Sequence, residues 1–210
     1  MAFGRWRLAD KKVISRDDVS RIISSARDQG RAEDYLLFAV PANTGIRISE
    51  VVHLRVEDVL SSSAIQVTRR KRRKLSPEVL PVNRELHRLL ADRAKKMKKG
   101  WLWPGDSSPC IIHRVAHGKA TGDEKICPGG HIAKRTAQRA WMCYLKELKL
   151  WKPGRGIHTL RHYAITEFYS RHRDLRAAQV FAGHSSSTMT EVYAHAVDLA
   201  EQVAKVKPVL

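Results

Sequence analysis

The chain has 210 residues, 39 of them Lys or Arg and 21 Asp or Glu, for a formal net charge of +18. That length suits one well-buried domain with short extensions, and the charge points to a polyanionic partner, of which nucleic acid is the commonest. No stretch approaches the roughly 20 apolar residues of a spanning helix. The opening M-A-F-G-R-W-R-L-A-D turns polar too soon for a leader, and the cysteines (Cys110, Cys127, Cys143) are odd in number, so neither a membrane nor an oxidising compartment is expected and a cytoplasmic setting is.

In chain order, the first dozen residues read as a tail. Ser15 then precedes a helix, with Asp18 three residues on as in a capping box, and Val19, Ile22, Ile23 and Ala26 form its apolar stripe. The run Tyr35–Val40 makes a second helix, which Pro41 should end or kink. Thr44-Gly45 is a turn, and Arg47 opens a further helix with Ile48, Val51, Val52 and Leu54 as apolar positions. Ile65 and Val67, then Val79, Leu80 and Val82, flank a very basic turn and read as a β-hairpin. From Asn83 a helix carries Leu86, Leu89, Leu90 and Met97 on one face. Residues 100–130 are rich in Gly, Pro, Ser and charge and read as an extended surface loop. Helical periodicity returns over Ile132–Leu148, at Ala137, Ala140, Trp141, Tyr144 and Leu148, until Pro153-Gly154 breaks it and three shorter helices follow. With no internal repeat and no clear domain boundary, the expected build is mixed α+β, mainly α-helical, with a small antiparallel β-sheet.

Chemistry is concentrated in three short motifs and one basic run. The motifs are T-G-I-R-I-S-E around Arg47, H-T-L-R-H from His158 to His162, and G-H-S-S-S-T-M-T-E-V-Y from Gly183 to Tyr193; the run is R-R-K-R-R-K, Arg69 to Lys74. Arg47, Lys71, His158, Arg161, His184 and Tyr193 are two guanidinium groups, an ammonium, two imidazoles and a phenol, with no carboxylate cluster to hold a metal. Phosphodiester exchange without a metal needs such a set: cations on the non-bridging oxygens, a nucleophile, and an acid for the leaving oxygen. Arginine suits the first task because its planar fork binds phosphate in bidentate fashion and stays charged. Taken singly, each of these residues is more often a salt bridge, a solvated face or a packing tyrosine. The ordered set is far more specific than any member.

The motifs, their order and their spacing resemble the catalytic domain of the tyrosine recombinases, the phage-integrase family, over roughly Val13 to Ala196. The resemblance implies a catalytic domain at 13–196, an N-terminal tail at 1–12 and a C-terminal tail or helix at 197–210. It implies that Arg47 and Arg161 clamp the scissile phosphate. Tyr193 would attack phosphorus, become joined to the DNA 3′-phosphate and free a 5′-hydroxyl. His158 would accept or orient the tyrosine proton and His184 would hydrogen-bond the phosphate, with general base and donor left open between them. The family's lysine sits at the hairpin turn and protonates the leaving oxygen. Counting from Ile65 and Val67 selects Lys71, and counting back from Pro81 lands nearer Arg73 and Lys74; Lys71 is preferred. Glu50 would orient Arg47, and His162 would have a supporting role. Arg69, Arg70, Arg72, Arg73 and Lys74 would track DNA phosphates.

The resemblance also implies double-stranded DNA as partner, a homo-tetramer on DNA with a monomer or weak oligomer away from it, and no cofactor or metal. Cys110, His113, His117, Cys127 and His131 are zinc-ligand types, but their spacing fits no common zinc module and zinc is not expected. Most family members place a helical DNA-binding domain ahead of the catalytic one, whereas about a dozen residues precede Val13 here, so an excised catalytic domain and a short member both stay open. The leading function is site-specific DNA recombination. A type IB topoisomerase would share the chemistry, and a non-catalytic DNA-binding regulator would share the fold; retention of both arginines and Tyr193 argues against the latter.

Overall fold

A helix that is apolar all round has to be surrounded, and the run Tyr35–Val40 forms such a helix at the centre of the molecule. The computed structural model describes residues 14–29, 32–71, 74–105, 130–184 and 190–191. In chain order its elements are α1 (Arg16–Asp28), α2 (Ala32–Thr44), α3 (Ile48–Val51), a 3-10 turn (Val56–Asp58), β1 (Val59–Leu60), β2 (Ala64–Lys71), β3 (Lys74–Pro81), α4 (Arg84–Met97), α5 (Lys134–Glu147), α6 (Thr159–His172) and α7 (Leu175–Ala182). The build is mainly helical with one small antiparallel sheet, as expected. α2 packs against α1, α3, α4, α5 and α6, and Leu36 to Val40 are all buried. Phe38 meets Trp141 and Tyr144 edge-on, at 5.2 and 5.6 Å between ring centroids.

Local chemistry explains where the helices begin and end. Ser15 accepts from the Asp18 amide at 3.1 Å and caps α1, whose buried face is Val19, Ile22 and Ala26. The reciprocal half of the expected capping box is replaced: the Asp18 carboxylate lies 3.2 Å from Nη1 of buried Arg155. Arg155 also donates to the Leu150 carbonyl, so this pair ties α1 to the turn ahead of α6. Asn83 caps α4 through the Leu86 amide at 2.8 Å. Pro41 does not end α2, which continues to Thr44. Proline in the last turn forfeits only one helical N–H, and the end of the helix is closed by further donors to its last carbonyls: Asn43 Nδ2 to Ala39, Thr44 Oγ1 to Val40, and the Gly45 amide to Pro41.

The sheet order is β1-β2-β3, with Arg69 opposite Ser76, Val67 opposite Glu78 and Lys71 opposite Lys74. β1 carries no alternation of its own and exists because β2 offers it an edge, pairing Val59 with Ile65. A further correction concerns the start of the long loop. Trp101, Leu102 and Trp103 are buried rather than on the surface. The Leu102 amide donates to Leu54, Ile132 donates to Trp103, and Arg93 donates to the Leu102 carbonyl. Three large apolar side chains outweigh the surrounding glycine and serine, because burying each is worth about 1.5–3 kcal/mol. Residues 106–129 lie outside the described residues.

Trp103→Ala should therefore cost about 3–5 kcal/mol, whereas Trp151→Ala, at a half-exposed site, should change stability by about 0.5 kcal/mol or less. Urea unfolding followed by circular dichroism measures both, and equal effects would contradict the packing described.

Candidate active site

Three turns converge beside the N-terminal end of α6, and one side chain joins them. Arg161 sits in the first turn of α6 and is 4% exposed. Its Nη1 donates to the carbonyl of Gly45, and its Nη2 donates to the carbonyl of Ala182 at 2.8 Å. Gly45 lies two residues before Arg47, and Ala182 lies two before His184. A single guanidinium thus holds the first and third motifs against the second.

The first turn needs its glycine. Gly45 has φ +67°, a left-handed conformation that costs other residues roughly 1–2 kcal/mol, and a Cβ there would stand 3.0 Å from Phe181. Phe181 in turn stacks on Phe168 of α6 at 4.4 Å. Arg47 follows as the N-cap of α3. Glu50, one turn on and itself buried, accepts from the Arg47 amide at 2.7 Å and from Nη1 at 3.1 Å. The expected pairing of Glu50 with the Arg47 guanidinium is present. Arg47 is about one-third exposed (37%), so it presents charge to solvent while Arg161 does not.

The third turn positions His184. Gly183 caps α7 in the left-handed conformation, φ +63°. The His184 amide donates to the Gln179 carbonyl at 3.1 Å, and the Gln179 amide group donates back to the His184 carbonyl at 3.3 Å. Its ring Nδ1 shares a 2.9 Å hydrogen bond with Oγ1 of fully buried Thr190, so a hydrogen bond to a ligand would run through Nε2. Withdrawal from water, then the cations of Arg161, Arg47 and Arg69, and then His162, push the His184 pKa down to about 4. His158 immediately precedes α6 and keeps an open surface. Protein crowding around its ring lowers its pKa first, followed by Arg161, Lys134 and Arg47, with Glu50 opposing them. Its ring meets that of His162 edge-on at 5.9 Å.

Arg47, His158, Arg161 and His184 are therefore one electrostatic cluster. Lys71 and Lys74 close the described part of the hairpin as its last Cα pair. Tyr193, Arg72 and Arg73 lie outside the described residues, as do Cys110, His113, His117 and Cys127. His131 packs against His53 at 4.1 Å between ring centroids. Arg69 departs from the expected exposed basic run: its side chain is 1% exposed and pairs with Glu78. The signal for this was available in the period of two that makes Ile65, Val67 and Arg69 share the inner face of β2. Lys134, beside His158, carried no comparable signal.

The sequence model described as "Phage integrase family" matches residues 12–199. The chain belongs to the phage integrase family. Among curated relatives, it is 27% identical to tyrosine recombinase XerD of Bradyrhizobium diazoefficiens, a match covering 89% of this chain and 59% of that protein. It is 26% identical to tyrosine recombinase XerA of Pyrococcus horikoshii, over 87% of this chain and 56% of that one. The chain thus spans somewhat over half the length of these relatives. Its fold matches the crystal structure of XerA recombinase with a TM-score of 0.67 at 19% identity, covering 93% of this chain and 64% of that one. It also matches the XerH site-specific recombinase bound to palindromic difH substrate, with a TM-score of 0.66 at 20% identity, over 93% of this chain and 53% of that one.

The electrostatics of this phage-integrase site make a testable demand. The His184 ring should titrate near pH 4 rather than 6.5. Because the unfolded chain takes up this proton first, the contribution of His184 to stability should fall as pH drops from 6.5 toward 4. An anion seated beside Arg47 and Arg161 should raise the same pKa. NMR titration of the imidazole resonances with and without inorganic phosphate reads both effects; a midpoint near 6.5 in the free protein would contradict the cluster.

Proposed function

We propose that this chain is the catalytic domain of a tyrosine-type site-specific DNA recombinase, cleaving and rejoining strands through a 3′-phosphotyrosyl intermediate. The observation that carries the reading is the Arg161 bridge between the Gly45 and Ala182 carbonyls, which brings Arg47, His158 and His184 into one electrostatic cluster. Support also comes from the recombinases to which the chain is similar, among them XerH bound to its palindromic difH substrate.

In this reading Arg47 and Arg161 bind the non-bridging oxygens of the scissile phosphate, and Glu50 fixes the fork of Arg47. Tyr193 attacks phosphorus, a tyrosyl oxygen–phosphorus bond forms, and the bond from phosphorus to the 5′-oxygen breaks. The phenolic proton passes to a base, for which His158 is suited because its lowered pKa keeps it neutral at pH 7. The leaving 5′-oxygen takes a proton from Lys71, with Lys74 as the alternative in the opposite strand. His184 donates from Nε2 to a phosphate oxygen, its tautomer being set by the Thr190 partner on Nδ1. Attack of a second 5′-hydroxyl on the phosphotyrosine reverses the sequence and joins new strands. His162 supports the ring of His158. Arg70, Arg72, Arg73 and Lys74 supply phosphate contacts. Double-stranded DNA is the substrate, residues 13–196 are the catalytic unit between two tails, and four copies assemble on DNA. No step calls for a metal or an organic cofactor.

The test is capture of adducts from fragmented, nicked DNA of the source organism, in EDTA, by denaturing filtration and sequencing. Covalent adducts at a recurring sequence are expected. Tyr193→Phe should abolish them while leaving DNA binding intact, and Arg161→Ala should slow them by about 10²–10³-fold. Adducts that persist in Tyr193→Phe, or that appear only with added magnesium, would overturn the reading.

Choice of the acid is tested separately. Lys71→Ala should be slow on ordinary DNA by about 10²–10⁴-fold and largely restored when sulfur replaces the bridging 5′-oxygen, because a thiol of pKa about 8.5 leaves unaided. Rescue of Lys74→Ala instead would transfer the role to Lys74.

A further inference from the structure

The basic run of the hairpin contains one arginine that solvent does not reach. Arg69 continues the inward alternation of Ile65 and Val67 and is 1% exposed. Glu78, on the neighbouring strand, holds its Nε at 3.1 Å from Oε2, an ion-pair distance without hydrogen-bond alignment. Beyond that pair the guanidinium lies against the Gly183 backbone. A Cβ built on Gly183 would fall 1.6 Å from Arg69 Nη1 and 2.8 Å from Cζ. The arginine therefore fills the space where any other residue at 183 would place its side chain. Neither Nη1 nor Nη2 has a hydrogen-bond partner among the described residues. Burying such donors unmet is expensive, so hydrophobic packing alone does not explain an arginine here. His184 is the next residue, and Arg69 is among the cations that lower its pKa.

We infer that Arg69 is a positioning residue that sets the Gly183–His184 turn: wedged into the space left by Gly183 and anchored by Glu78, it fixes the place of His184 from the β2–β3 hairpin. The hairpin and the third motif then move as one unit, and the identity of residue 183 is dictated twice, by its left-handed backbone and by the guanidinium against it. The role deepens the recombinase reading, since the side chain positioned is the one assigned there to the phosphate.

The experiment uses the full chain without DNA, so that it reports even if no cleavage is found. Imidazole NMR titrations would be compared for wild type, Arg69→Met, Arg69→Lys and Glu78→Gln. In Arg69→Met the His184 midpoint should rise from about 4 toward 6.5, and Arg69→Lys should restore part of the depression. Glu78→Gln should also raise it, against the direct effect of losing a carboxylate, because the unanchored guanidinium leaves the Gly183–His184 turn. Urea unfolding of the wild type, Gly183→Ala, Arg69→Ala and the double variant forms a double-mutant cycle. The loss caused by Gly183→Ala should be smaller once Arg69 is gone, because the collision is relieved and only backbone strain remains. On a captured nicked duplex, Arg69→Met should slow adduct formation at saturating DNA and leave the binding constant near the wild-type value. An unshifted His184 midpoint in both Arg69→Met and Glu78→Gln would overturn the inference, as would additive effects of the two alanine changes. If the wild-type chain forms no adduct, the recombinase reading fails while the ring titrations and the cycle still decide the role of Arg69.

Discussion

Everything at the site depends on one buried guanidinium. Arg161 spends its two terminal nitrogens on backbone carbonyls, one 116 residues earlier and one 21 residues later in the chain. Hydrogen bonds from a charged group contribute about 1.5–3 kcal/mol each, and losing this donor would strand two buried acceptors together. The choice of carbonyls is consequential: they set the places of Arg47 and His184 without depending on either side chain. The site is thus held together through main-chain acceptors, with the Arg47 guanidinium left partly exposed beside the bridge.

The rest of the fold supplies rigidity around that bridge. α2 ends at Thr44, so the turn through Gly45 leaves the best-packed element of the core. α6, which carries His158 ahead of its first turn and Arg161 within it, packs on α2 and on α7. The stack of Phe168 on Phe181 fixes α7 relative to α6, and Phe181 also closes over Gly45. The third motif approaches from α7 and is backed by Arg69 of the sheet. Among the described residues, Arg47, His158, Arg161 and His184 thus each stand at the end of a helix, and their positions follow from packed elements. Burial first, and then the surrounding cations, lowers both histidine pKa values, so the rings are neutral near pH 7.

The parts legible in sequence were those governed by local rules. Ser15 and Asn83 announced helix starts because a cap is a short-range hydrogen bond. The candidates Arg47, His158, Arg161 and His184 came instead from the resemblance of their motifs to the phage-integrase family, and the structure brings the four together. Burial that depends on distant partners was less visible. Trp101–Trp103 looked like part of a polar loop, since the strand-like contacts to Leu54 and Ile132 come from outside the segment. Pro41 looked like an end or a kink, yet α2 runs to Thr44, because a proline in the last turn removes only one helical hydrogen bond. Arg69 was hidden by its company: a run of like charges reads as one solvated surface, although the strand period turns alternate members inward. Lys134 approaches His158 only through the packing of α5.

The most direct measurement of the central claim is a crystal structure of the chain with orthovanadate, a mimic of the phosphoryl group in transfer. Vanadate should bind between Arg47 and Arg161, within hydrogen-bond distance of His184 Nε2, with Arg161 still donating to Gly45 and Ala182. Vanadate bound elsewhere on the basic surface, or an Arg161 turned away from those two carbonyls, would contradict that claim.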